Sequence, residues 1–162
     1  MCIYLSITQW NTMQANKEYP WTNDLLEHTI EKSQCGYDLE SPYWFIHNNY
    51  ICNIKRNFLH VWVGYIYIPQ GHPCFGKFYD DINVNVHGSL TFSSLKTLNG
   101  INYYVLGFDT GHYDDIIPDG YVNDAWDNDN DNEVIKPTYK DYNFVKQETM
   151  NLADQLLDME NV

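Results

Sequence analysis

Hydrophobic and polar positions change period along this chain, and the period names the elements. From Phe58 to Ile68 the stretch "FLHVWVGYIYI" crowds Val, Ile, Tyr and Trp together, the composition of a buried strand. Pro69 ends it, because proline brings no N–H to a ladder. Ile82, Val84 and Val86 alternate with Asn83 and Asn85, which predicts a half-buried strand in "INVNVHGSLTF". "INYYVLGFD" predicts the next strand, with "SSLKTLNG" as the turn region between the two. Shorter strands are expected at "YWFIH" and "YICNI", and "MCIYLSITQW" reads as a first strand.

Two stretches carry helical spacing instead. In "PWTNDLLEHTIEKSQCG", Pro20 and Thr22 mark a start and Asp24 suits the positive end of a helix dipole. Leu25, Leu26 and Ile30 form the stripe, and Gly36 is the stop. In "YNFVKQETMNLADQLLDMEN", Val145, Leu152 and Leu156 fall on one face, with Met150, Ala153 and Leu157 beside them. "QGHPCFGKFYDD" is punctuated by Gly and Pro and reads as a loop. Residues about 113–137 are acidic, Asn-rich and short of aliphatics, so a surface loop is expected there. The order predicts a single α+β domain over residues 1–162. It has a mainly antiparallel sheet, one helix in the N-terminal half and a C-terminal amphipathic helix.

Composition supports a real core, since 14 Tyr, 7 Phe and 5 Trp bury much area per side chain. Charge changes the picture more. With 22 acidic and 9 basic residues, the formal net charge is -13, which repels a phosphate backbone and argues against direct nucleic-acid binding. The same charge suits a protein partner with a basic surface, including one built to hold nucleic acid; solubility alone is the plainer reading. Cys2, Cys35, Cys52 and Cys74 are widely spaced without a C-x-x-C pair, so reduced thiols are expected rather than a zinc ribbon or redox motif. Neither a secretory signal nor a membrane span is expected.

The chemistry concentrates in "GFDTGHYDD", Gly107 to Asp115. A hairpin turning at Thr97 and Leu98 would set His87 opposite Phe108, beside Asp109, with His112 just past the strand end. His87, Asp109 and His112 then share one end of the sheet, Asp115 lies close by, and His72 in "GHP" reaches the same rim. Imidazole and carboxylate suit one divalent metal such as zinc or manganese, and three protein ligands leave a position for water. The same groups also suit metal-free acid/base work, or a turn in which Asp109 and His112 bond the backbone. His28, His47 and His60 are read as surface or core residues.

Two other motifs fail on inspection. "HGSLTF" matches half of the paired H-x-[ST] pattern of two-histidine phosphoesterases, and no second copy exists. "DNDNDNE" starts like a calcium loop, but Asn132 stands at the turn-glycine position and Thr138 at that of the bidentate Glu.

In order along the chain, "GYIYIPQGHPCFGKFYDD", "VHGSLTF" and "GFDTGHYDD", then a terminal helix with "LADQL", resemble a family of uncharacterised bacteriophage and prophage proteins. That family carries G-H-P-x-x-G-K-x-Y-D, V-H-G-G-L-T-[YF] and G-F-D-x-x-H-x-x-D. His72, Pro73, Gly76, Lys77 and Asp80 match the first motif. His87, Gly88, Leu90 and Thr91 match the second, and Gly107, Phe108, Asp109, His112 and Asp115 the third. Ser89 replaces a glycine, and Tyr113 and Asp114 replace small residues. The resemblance covers residues 58 to 115 and the final helix; it implies a viral origin and no particular activity.

Two functions are therefore expected from the residues. The first is counter-defence of the anti-CRISPR type, in the cytoplasm of an infected bacterial cell. The acidic stretch with Asp114, Asp119, Asp124, Asp127, Asp129, Asp131 and Glu133 would meet a basic groove on a host protein. The second is a metal-dependent hydrolase, with Lys77 meeting the substrate's negative charge and His72 as spare ligand or general acid. A hybrid keeps the metal only as a pin for the loop.

Overall fold

The computed structural model describes residues 20–34, 36–118 and 137–162. Five strands, β1 (Trp44–His47), β2 (Tyr50–Arg56), β3 (Trp62–Pro69), β4 (Phe92–Leu98) and β5 (Ile101–Asp109), form one antiparallel sheet in the order β1-β2-β3-β5-β4. Two short helices, α1 (Thr22–Glu27) and α2 (Ile30–Ser33), precede the sheet, and α3 (Tyr142–Glu160) closes the chain. The architecture is α+β, as the order of elements predicts.

Alternation builds the core. Trp62, Ile66 and Ile68 of β3 are fully buried in one cluster with Val145, Leu152 and Leu156 of α3. Between them Gly64 lets the helix come down onto the sheet: a Cβ there would lie 2.4 Å from Thr149 Oγ1 and 2.5 Å from the Phe108 ring. Asp141 caps α3 by accepting the Phe144 N–H at 2.8 Å. The helix runs for 19 residues, so its two ends serve different parts of the sheet.

Four local expectations change. The helix expected over residues 20–36 is two helices, because Thr29 leaves helical geometry (φ -72°, ψ 154°) and caps α2 through its hydroxyl. His28, at the break, stacks on Tyr142 at 4.5 Å instead of continuing the first helix. "SSLKTL" is not a turn but the edge strand β4, whose hydrogen bonds to β5 need no apolar pattern. The hairpin turns at Asn99–Gly100, both left-handed (φ 50° and 78°), so Phe92 pairs with Gly107 and Leu98 with Ile101. An Asn-Gly pair is itself a hairpin signal, because both residues tolerate positive φ. The expected first strand, Met1–Trp10, lies outside the described residues, as does the acidic segment 119–136.

The alternating stretch from Ile82 to Val86 is not a strand either. Its burial pattern holds, with Ile82 and Val86 inside and Asn83 and Asn85 outside. Its partner is a side chain: Gln155 of α3 accepts the Asn85 N–H at 2.7 Å and donates to the Asn85 carbonyl at 2.8 Å. One glutamine amide thus does for this segment what a neighbouring peptide would do in a ladder.

Cys52 and Cys74 are buried free thiols, and burial pushes Cys52 up to about 12. Among the described residues no helix is long and apolar enough to cross a membrane.

Candidate metal centre

His87 sits on the segment that runs beside α3, and three contacts orient it. Its N–H donates to Glu148 Oε1 at 2.8 Å, its ring meets Phe144 edge-on at 5.4 Å, and its Nε2 lies 2.9 and 3.0 Å from the two oxygens of Asp115. Two left-handed residues follow, Gly88 (φ 63°) and Ser89 (φ 69°), and they fold the segment against His112. A Cβ on Gly88 would stand 1.8 Å from His112 Nε2. Glycine accepts such a turn without strain at Gly88, whereas Ser89 takes the left-handed conformation as an L-residue.

His112 and Asp115 come from the turn after β5. Thr110 starts that turn by bonding the Trp62 carbonyl through its N–H (3.2 Å) and its hydroxyl (2.9 Å). The Asp115 N–H closes it onto the His112 carbonyl at 3.0 Å. In return the His112 N–H donates to Asp115 Oδ2 at 3.0 Å. A short parallel bridge then ties the turn to the chain ahead of α3: Ile116 donates to the Thr138 carbonyl and Thr138 to the Asp114 carbonyl, both at 3.0 Å.

The Asp115 carboxylate is the centre of this arrangement. Its side chain is fully buried, while those of His87 and His112 are 14% and 28% exposed. An ionised carboxylate only accepts hydrogen bonds, so without a metal the His87 Nε2 facing it carries a proton, which an ion bound at that nitrogen would have to displace. A fourth group, the Lys140 ammonium, stands 3.4 Å from Asp115 Oδ1.

His87, His112 and Asp115 each offer a ligand atom, and the three atoms lie within 4.8 Å of one another. Metal–ligand bonds of about 2.0–2.1 Å in a tetrahedron set neighbouring ligand atoms roughly 3.3 Å apart. The His87–Asp115 pair is already a few tenths of an ångström inside that spacing. The His112 ring, 5.6 Å from that of His87, would supply the third ligand; its Nε2 also lies 3.1 Å from the Asp109 carbonyl, a contact that ligation through that nitrogen would replace. Two imidazoles and one carboxylate suit zinc or manganese, with an open position for water.

Two expected ligands lie outside this group. Asp109 holds the turn, accepting the Gly111 N–H at 2.9 Å and the Thr91 hydroxyl at 3.1 Å; its carboxylate stays 3.5 Å from His112 Nε2, while its backbone carbonyl lies 3.1 Å from the same nitrogen. His72 belongs elsewhere. Its side chain is fully buried, its Nδ1 accepts the Cys74 N–H at 3.0 Å, and its Nε2 donates to the Leu156 carbonyl at 3.1 Å. Leu156 is eight residues beyond Glu148 on α3, roughly 12 Å along the axis, so His72 locks the far end of the helix. Lys77 is exposed on the same loop as His72, with its N–H on the Cys74 carbonyl.

Asp114 is exposed beside the centre. Asp119, Asp124, Asp127, Asp129, Asp131 and Glu133 lie outside the described residues. Of the other histidines, His47 pairs with Asp154 at 2.7 Å, and His28 lies in an aromatic cluster. Sequence reasoning passed over Lys140, Glu148 and Phe144. Glu148 and Phe144 read as ordinary polar and apolar positions of a helix, and a lone lysine before a cap has no pattern.

Replacing Gly88 with alanine should remove the centre while sparing the core. Positive φ costs an L-residue about 1–2 kcal/mol, and the new methyl would drive His112 away. The expected result is a lower urea midpoint together with loss of bound metal; a variant that keeps its metal would show that His112 is not a ligand.

Comparison with protein-family models, curated proteins and solved structures finds no match for this chain.

Proposed function

We propose that this chain is an acidic binding protein whose recognition surface is organised by one divalent metal, zinc or manganese, held by His87, His112 and Asp115. The observation that carries this reading is the convergence of three ligand atoms within 4.8 Å from two separate loops. An ion there would cross-link the segment beside α3 to the turn that leads into the acidic stretch beginning at Asp114. Binding energy would then go into shaping that turn. The net charge of -13 supports a partner with a basic, nucleic-acid-binding surface. The three ordered motifs that resemble phage and prophage proteins support a counter-defence role of the anti-CRISPR type, in the cytoplasm of the infected host.

Elemental mass spectrometry on the untagged protein and on His112→Ala tests the metal, with near one ion per chain expected in the first and little in the second. Capture of a basic host protein at low salt should weaken in high salt and in chelator. A metal-free wild-type chain, or capture indifferent to both treatments, would overturn the reading.

The partial exposure of both imidazoles favours a second reading, metal-dependent hydrolysis, since water can reach the open position. Phosphate-ester turnover by the metal-loaded protein, absent in His112→Ala, is its signature.

A further inference from the structure

The metal ligands do not meet an incoming ion alone. Lys140 lies 3.4 Å from Asp115 Oδ1, and its side chain is only 13% exposed. The anionic groups of the centre are Asp115, Asp109 at 3.5 Å from His112 Nε2, and Glu148 on the His87 N–H. Lys140 is paired with the buried Asp115 carboxylate, while the other two carboxylates stand on the two histidines. Lys140 is also held from behind, by the Thr138 hydroxyl and by the Phe144 ring, whose centroid is 5.5 Å from Nζ.

We propose that Lys140 is a tethered competitor for the metal: its ammonium neutralises Asp115 in the metal-free chain, and a divalent ion displaces it. This rests on the metal-centre reading above and adds the regulation of that site. Coulomb repulsion disfavours an ammonium and a divalent ion on the same carboxylate. The contacts of Lys140 with Phe144 and Thr138 do not depend on Asp115, so it can keep them when the carboxylate is taken by the ion. Because Thr138 is bridged to Asp114 and Ile116, the exchange moves charge without releasing the backbone. Metal loading thus releases Lys140 from Asp115 just ahead of the α3 cap, while holding the turn in place.

Calorimetric titration of the full chain with Zn²⁺ and with Mn²⁺ tests this on wild type and Lys140→Met, which keeps the apolar stem. The variant should bind about tenfold more tightly, the effect of one partly solvated unit charge a few ångströms away. Equal or weaker binding by the variant, with wild type binding normally, overturns the competitor and leaves the metal centre standing. No binding by either overturns both. Wild type carries an independent readout: the Lys140 ammonium NMR signal, assigned by its absence in Lys140→Arg. It should shift as metal is added, and an unmoved signal in metal-loaded protein rejects displacement.

Discussion

Asp115→Ala should lose about 3–5 kcal/mol of stability, the cost of removing one member of a buried ion pair and leaving the other unpaired. The carboxylate is fully buried and serves His87 Nε2, the His112 N–H and Lys140 together. Without it, an ammonium and two N–H donors face an apolar gap. The turn then loses its tie to the segment beside α3, and the proposed metal site loses its carboxylate ligand. Asp115→Asn separates charge from shape. The amide oxygen still accepts a hydrogen bond, so a smaller loss of roughly 1–3 kcal/mol is expected, with metal binding still abolished. Urea unfolding followed by circular dichroism measures both. A loss below about 1 kcal/mol for alanine, smaller than the range for broken buried pairs, would show that Asp115 does not hold the loops together.

Trp62→Ala should be comparably severe for a different reason. Trp62 is fully buried at the start of β3, against His28, Tyr43 and Tyr142, with the Arg56 guanidinium 5.2 Å from its ring centroid. Emptying that volume costs about 3–5 kcal/mol. Its Nε1 also donates to Asp24 Oδ2 at 2.7 Å, where the Tyr139 hydroxyl donates as well. Burial, and then the Asp24 carboxylate, push the Tyr139 hydroxyl well above the usual phenol range, so it stays a donor. Trp62→Phe keeps an aromatic ring but removes the N–H together with part of the ring volume. The expected loss is at least roughly 1.5–3 kcal/mol, that of a hydrogen bond to a charged group, plus a cavity term for the smaller ring. The two replacements differ from Asp115→Ala in one respect. The Trp62 backbone carbonyl that holds Thr110 remains, so folded Trp62 variants should still bind metal. If they fold but bind none, the aromatic cluster and the metal centre are one cooperative unit.

The pattern along the chain determined the type of most elements. β-Branched and aromatic density marked β1, β2, β3 and β5, and helical spacing marked α3 with its buried face of Val145, Leu152 and Leu156. Element type is local information, because a strand or an amphipathic helix must present one apolar face whatever it packs on. Pattern failed where a partner outside the segment made the decision. β4 is polar because an edge strand needs ladder hydrogen bonds more than burial, and it was read as a turn. Ile82 to Val86 is patterned like a strand, yet its backbone is satisfied by the Gln155 side chain. Thr29 is a good N-cap in any sequence, but the break before it is held by His28 packing on Tyr142.

The candidate site divides the same way. His87 and His112 were placed together from the hairpin, and they do meet, although the turn lies at Asn99–Gly100. The grouping tolerates that shift because both residues lie past the paired strands, at the same end of the sheet. Asp109 and His72 are rich in suggestive chemistry, but each is spent on a backbone group nearby. What makes Asp115 central, and sets Lys140 against it, is a bridge between Asp115 and Thr138. No periodicity records that bridge, because hydrogen bonds between chain-distant segments depend on where the whole sheet and α3 put them.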